Sequence, residues 1–163
     1  YELDLDKISY TSGEMITFYQ KWLSLYPFIA LEDPLGEDDW EAWKKITDEF
    51  TMTGSDIMIV GDDLFTTNTT RLQKGIDEKV ANSIIIKPNQ IGTLLETINC
   101  IKLAQENKYK VILSHRSGET ADTFISDLAV GVGAEYIKTG APSRSERVEK
   151  YNRLLEIENE LKR

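Results

Sequence analysis

The chain has one cysteine, one histidine and four prolines in 163 residues. A single cysteine, Cys100, permits no intramolecular disulfide and no zinc site built on several thiolates. Inside an apparent helix it reads as a small buried hydrophobe, a usage that fits a reducing compartment. No run of about 18 apolar residues occurs, so the sequence offers no membrane-spanning helix. Tyr1-Glu2-Leu3 brings neither a basic region nor an apolar segment and does not read as a signal peptide. Positive charge is scarce: 19 Lys and Arg against 28 Asp and Glu give a net charge of −9. That balance argues against nucleic acid as a partner, yet a basic pocket for a small anion can sit in an acidic protein. There is no G-x-G-x-x-G or Walker A string, which weakens a nucleotide-binding open sheet. Nor is there a low-complexity segment or linker, and the length suits one domain.

What is present is a repeat of short apolar runs. They are Phe28-Ile29-Ala30-Leu31, Ile57-Met58-Ile59-Val60, Ile84-Ile85-Ile86, Val111-Ile112-Leu113 and Glu135-Tyr136-Ile137. Their spacing is roughly 25–30 residues, a strand plus a crossover helix. Continuous, β-branched runs suit strands buried on both faces of a parallel sheet.

Amphipathic stretches lie before, between and after them. Met15, Tyr19, Leu23 and Tyr26 predict a helix ahead of the first run; Trp40, Trp43, Ile46 and Phe50 predict one after it. Leu72, Ile76 and Val80 follow the second run. Ile91, Leu94, Leu95, Ile98, Ile101 and Leu103 follow the third. Phe124, Leu128 and Val132 follow the fourth. Val148, Tyr151, Leu154, Leu155 and Ile157 mark a last, charged helix, for which Ser143-Arg144-Ser145-Glu146 reads as a capping box. These stripes, with all three tryptophans, read as core. The architecture is an α/β fold of five parallel (βα) repeats preceded by one helix. A closed barrel needs eight strands and typically about 250 residues, so the barrel reading is a partial TIM-type barrel with about five of the eight strands.

Every run ends in a polar cluster: Glu32-Asp33-Pro34, Gly61-Asp62-Asp63, Lys87-Pro88-Asn89-Gln90, Ser114-His115-Arg116-Ser117 and Lys138-Thr139-Gly140. Chemistry in an α/β barrel sits at these carboxyl ends. One such cluster would mean a turn or a helix cap. Five together, carboxylates facing lysines and an arginine, are the set that binds a divalent metal with an anionic substrate. Alternation along a strand puts Glu32 and Asp33 on opposite faces, and likewise Asp62 and Asp63. Only one of each pair can face the site, and the sequence alone leaves open which.

At these residues the chain resembles the enolase family. The matching strings are Leu31-Glu32-Asp33-Pro34 with Asp38 to Trp43, Val60-Gly61-Asp62-Asp63-Leu64, Lys87 to Leu94, Ser114 to Thr120 with Asp122-Thr123, and Ile137 to Pro142 with Ser145-Glu146-Arg147. The resemblance implies an Mg²⁺-dependent lyase of glycolysis that interconverts 2-phosphoglycerate and phosphoenolpyruvate. It implies Glu32 and Asp62 as metal ligands and Lys87 as the proton acceptor. Arg116 and Ser117 would meet the phosphate, with the Ser117 backbone also reaching a second metal; His115 would line the pocket as a catalytic and substrate-binding residue, and Lys138 would meet the substrate carboxylate.

The same resemblance makes residues 1–163 the carboxyl-terminal portion of the barrel. The amino-terminal capping domain, the first part of the barrel, the glutamate acid and a third, aspartate metal ligand fall outside it. The stretch from Asp48 to Ile57 reads as longer than the family's. The expectation is a chain inactive alone, self-associating through open sheet edges or belonging to a homo-oligomeric parent, dimer or octamer. The resemblance places it in the cytoplasm, with cell-surface or secreted forms. The competing reading is a non-catalytic interaction module with a surface-protein partner, for which Lys162-Arg163 would be the contact; a solvated helix end accounts for that dipeptide equally well.

Overall fold

A computed structural model describes residues 1–3, 7–52 and 56–163. Residues 53–55, inside the connection expected to be long, lie outside the described residues.

Five strands form one sheet in the order of the chain, every neighbouring pair parallel: β3 (Ala30–Glu32), β4 (Met58–Gly61), β5 (Ser83–Ile86), β6 (Lys110–Ser114) and β7 (Tyr136–Lys138). Parallel neighbours in sequence order require a crossover each time, and α2 (Trp40–Met52), α3 (Thr69–Glu78), α5 (Leu94–Glu106) and α6 (Phe124–Gly131) supply it. Ahead of the sheet lie an antiparallel pair, β1 (Glu2–Leu3) with β2 (Ile8–Ser9), and helix α1 (Ser12–Leu25). The two-residue strands of that pair carry no apolar run and were not legible in the sequence.

Strand alternation divides the apolar residues into two layers. Leu31, Ile59, Ile84, Ile86, Val111, Leu113 and Ile137 face the helices and merge with Trp43, Ile46, Phe50 and Leu72 into the main core. Ala30, Met58, Val60, Ile85 and Ile112 form a separate cluster on the other face, the inside of the curl. The sheet is thus a partial barrel with a helical outer layer.

Three sequence readings are corrected. The stripe after the third strand is two helices, α4 (Pro88–Ile91) and α5, split at Gly92, whose φ of 100° is open to glycine. Thr93 caps α5, and the faces turned inward are Thr97, Cys100, Ile101 and Ala104, leaving Leu94 and Leu95 exposed. Trp22 is not core; it is exposed in an aromatic cluster with Phe18, Tyr26 and Phe28. The last helix, α7 (Ser145–Leu161), starts after Arg144 with no side-chain cap, so Ser143 to Glu146 is not a capping box. A capping box does form at Thr11 with Glu14, and at α5 the Thr93 hydroxyl accepts the Glu96 N–H and donates to the Glu96 carboxylate. Cys100 is buried, and burial pushes its thiol up to about 12, which makes it inert packing as expected.

Candidate active site

The strands that share the inner face carry the site at their carboxyl ends. Glu32 has the parity of Ala30, and Asp62 that of Met58 and Val60. Lys87 has the parity of Ile85, and Ser114 that of Ile112. Parity puts Glu32 and Asp62 on the inner face, but Asp63 also follows the end of β4 and its carboxylate comes close to that of Asp62, so alternation does not separate that pair as expected.

Two ion pairs tie this rim together. Lys138 Nζ lies 2.5 Å from Glu32 Oε1, although β3 and β7 are the first and last strands of the sheet. In a flat sheet four strand spacings would separate them by about 19 Å, so the pair requires a strongly curled sheet. Lys87 Nζ lies 2.6 Å from Asp62 Oδ2, with the two side chains only 14% and 9% exposed. Lys87 is the N-cap residue of α4, but its side chain makes no cap bond, which leaves it to cross to β4. Its backbone N–H donates to the hydroxyl of buried Thr67.

The other Asp62 oxygen, Oδ1, is buried and accepts no hydrogen bond among the described residues. A buried carboxylate oxygen without a donor fits a hard cation. Carboxylate oxygens of Asp33, Asp62 and Asp63 come within 4.8 Å of one another, a grouping that could hold such an ion. Asp33 has another duty there. At a φ of 40° it turns the chain, and its two oxygens accept the N–H groups of Asp62 and Asp63 at 2.9 and 2.8 Å. Burial pushes its carboxyl above the usual range against the pull of those two donors. Asp33→Ala is expected to cost about 2 kcal/mol in urea unfolding, the worth of two hydrogen bonds at about 1 kcal/mol each. An unchanged midpoint would mean the turn holds without it.

The loop after β6 carries His115 and Arg116, both half-buried, and Ser117, which is exposed. Its support comes from α7, which sequence reasoning missed. Arg147 donates to the carbonyls of Arg116 at 2.9 Å and Ser117 at 3.0 Å and contacts His115 Nδ1. Lys150, 1% exposed, donates to the carbonyls of Thr120 and Glu146 at 2.9 and 2.8 Å and pairs with Glu119 at 2.8 Å. The other Glu119 oxygen takes the Arg116 N–H at 2.8 Å. The Arg116 guanidinium reaches Asn89 at 3.2 Å. Burial, with the Arg147 guanidinium alongside, pushes the His115 imidazole below its ordinary range, which favours the neutral ring. A cavity of about 320 Å³ opens beside this loop, lined by Arg116, Glu119, Thr120 and Lys150 among others.

The Ser117 carbonyl, expected to reach a second metal, accepts from Arg147. In a chain of charge −9, Lys87, Arg116, Lys138, Arg147 and Lys150 all come to these strand ends and the loop beside them, a local concentration of positive charge suited to an anion.

Comparison with known proteins gives this arrangement a family. The profile described as "Enolase, C-terminal TIM barrel domain" matches residues 1–163. A protein named enolase from Natranaerobius thermophilus is 56% identical over 161 residues, 99% of this chain and 37% of its own length. The chain thus spans a little over a third of that relative. It belongs to the enolase family, within the carboxyl-terminal TIM-barrel domain.

Proposed function

We propose that the chain supplies the strand-end residues for the Mg²⁺-dependent, reversible dehydration of 2-phosphoglycerate to phosphoenolpyruvate, the hydro-lyase step of glycolysis. The observation that supports this most is the convergence of Glu32, Asp62, Lys87 and Lys138 on one inner rim, held by two ion pairs.

The proton beside a carboxylate is weakly acidic, and its removal builds a second negative charge on that group. Lys138, at the last strand end, meets the substrate carboxylate. Lys87, on the opposite side of Asp62, takes the proton. Arg116, His115 and the Ser117 hydroxyl hold the phosphate as donors. Asp62 and Glu32 would hold the divalent ion, a role that the buried Asp62 Oδ1 without a donor supports. When bound, such an ion stabilises the charge building on the carboxylate, the general chemistry of enolase-superfamily sites. Loss of the hydroxyl needs an acid that these strand ends do not offer. The 163 residues by themselves are accordingly expected to bind without turning over.

Titration calorimetry with a phosphonate analogue tests this. Binding is expected only with Mg²⁺, and Asp62→Ala abolishes the metal-dependent part. Metal-independent binding would remove the reading, and near-normal turnover in a coupled assay would remove the claim that the acid lies elsewhere. Self-association finds support in the edge strands, where Phe28, Ile29 and Tyr136 are exposed. The interaction-module reading gains nothing from the site, since a pure binding surface has no use for lysines paired with carboxylates in register. Among the described residues no helix is long and apolar enough to cross a membrane.

A further inference from the structure

His115 is the only histidine of the chain, and its ring has two distinct neighbours. On one side, Nδ1 faces a guanidinium nitrogen of Arg147. Guanidinium carries five donors and no acceptor, and it does not deprotonate in proteins. A nitrogen in hydrogen-bond contact with it must offer a lone pair. The hydrogen of the neutral imidazole therefore sits on the other nitrogen, Nε2, which has no hydrogen-bond partner among the described residues.

Three further contacts fix this geometry. Arg147 is held by the carbonyls of Arg116 and Ser117, so its fork cannot swing away from the ring. The His115 N–H donates to the Lys138 carbonyl at 2.9 Å, which pins the backbone to β7. Gly140, at a φ of 82°, leaves the space in which arginine and imidazole meet. A Cβ there would come within 2.9 Å of Arg147 Cδ and 3.1 Å of His115 Cε1. The Gly140 carbonyl is itself taken by the Tyr151 hydroxyl, one turn beyond Arg147 on the same helix.

We propose that Arg147 is a positioning residue that holds His115 as the Nε2–H tautomer, so that the imidazole serves the site as a hydrogen-bond donor to an anionic oxygen of the ligand. This rests on the phosphate-binding reading of the loop only for the identity of that oxygen. The hold of Arg147 on His115 stands on the contacts alone. The assignment excludes His115 as a proton acceptor at Nδ1. It also gives α7 a function in the site beyond packing, because the arginine sets which ring nitrogen carries the hydrogen.

The single imidazole makes the test clean. In the uniformly ¹⁵N-labelled chain, well above the titration range of imidazole, long-range proton–nitrogen spectra are expected to place the hydrogen on Nε2 alone. Nδ1 is expected to correlate with an arginine side-chain nitrogen through a coupling across the hydrogen bond. A hydrogen on Nδ1 in the unaltered chain, or no such correlation, overturns the proposal without any variant. In Arg147→Met the correlation disappears and the Nδ1–H form becomes populated. In Gly140→Ala, where Arg147 remains but is displaced, the correlation is lost too. An unchanged spectrum in a folded R147M chain also overturns the proposal. Inorganic phosphate with Mg²⁺ is then expected to shift the Nε2–H signal. If it does not while the tautomer is as stated, the phosphate reading of the loop fails and the role of Arg147 does not.

Discussion

Lys87→Ala is expected to lower stability by about 2–3 kcal/mol in urea unfolding without divalent cations, and to make the protein respond more strongly to Mg²⁺. Breaking a buried ion pair by removing one partner typically costs about 3–5 kcal/mol, because the remaining charge stays buried and uncompensated. The Lys87–Asp62 pair retains slight exposure, 14% and 9%, which puts the expectation just below that range. Asp62 is worse placed than most orphaned carboxylates, since its other oxygen already lacks a donor. With Lys87 gone, both oxygens face a cation without competition from an ammonium group. A ligand that binds only the folded state adds stability in proportion to its affinity. Excess Mg²⁺ should therefore raise the unfolding midpoint of K87A by more than that of the unaltered chain. A loss below about 0.5 kcal/mol would mark the pair as solvated, in the range of surface ion pairs. An equal response to Mg²⁺ in both proteins would show that the ion and Lys87 do not share Asp62.

The acidic and basic residues of this rim were legible for a reason that the helices do not share. The three central strands bury their runs on both faces, and all five runs give way to charged or polar residues at the rim. That change is visible in the sequence. The boundaries shifted by only a residue or two: β5 begins at Ser83, a buried hydroxyl that the apolar pattern skips, and β6 reaches Lys110 and Ser114 for the same reason. Choosing Glu32 over Asp33 needed the parity of Ala30, which becomes informative only once Ala30 is known to face the inner cluster.

The helices misled where solvent and core trade places. Leu94 and Leu95 fit an apolar stripe but stand in the first turn of α5 and remain exposed. Trp22 is exposed on α1. The opposite error hid the scaffold of the His115 loop. Lys150, Leu154 and Ile157 share one face of α7, and Lys150 and Ile157 are buried. A lysine in an apolar stripe was the available signal. It was masked by the charge of the whole helix, in which Glu, Lys and Arg outnumber the apolar positions that define the stripe.

That lysine carries the largest stability effect expected in the molecule. Lys150→Met should cost about 3–5 kcal/mol, measured by urea unfolding at neutral pH. The methionine fills much of the space, so the loss is mainly polar. Glu119 is left buried without its counter-charge, and the carbonyls of Thr120 and Glu146 lose their donor. Arg153 is the control. It pairs with Asp127, Glu156 and Glu160, but on the surface, and Arg153→Met should cost under about 1 kcal/mol. Acid separates the two further. Burial alone would push the Glu119 carboxyl up, but the Lys150 ammonium and the Arg116 N–H outweigh it and hold the group below the usual glutamate range. A carboxyl lowered on folding binds fewer protons folded than unfolded. Its contribution is therefore complete above the ordinary glutamate pKa of about 4.3 and is lost as pH falls through the lowered value. In K150M that acid-dependent part should shrink, so the two stability curves converge as pH falls. Curves that stay parallel through the acid range would separate Glu119 from Lys150. Removing both partners decides what the cost consists of: if Glu119→Leu in the K150M background recovers stability, the penalty lay in the orphaned carboxylate, and if it adds a further loss, it lay in the grip on the loop.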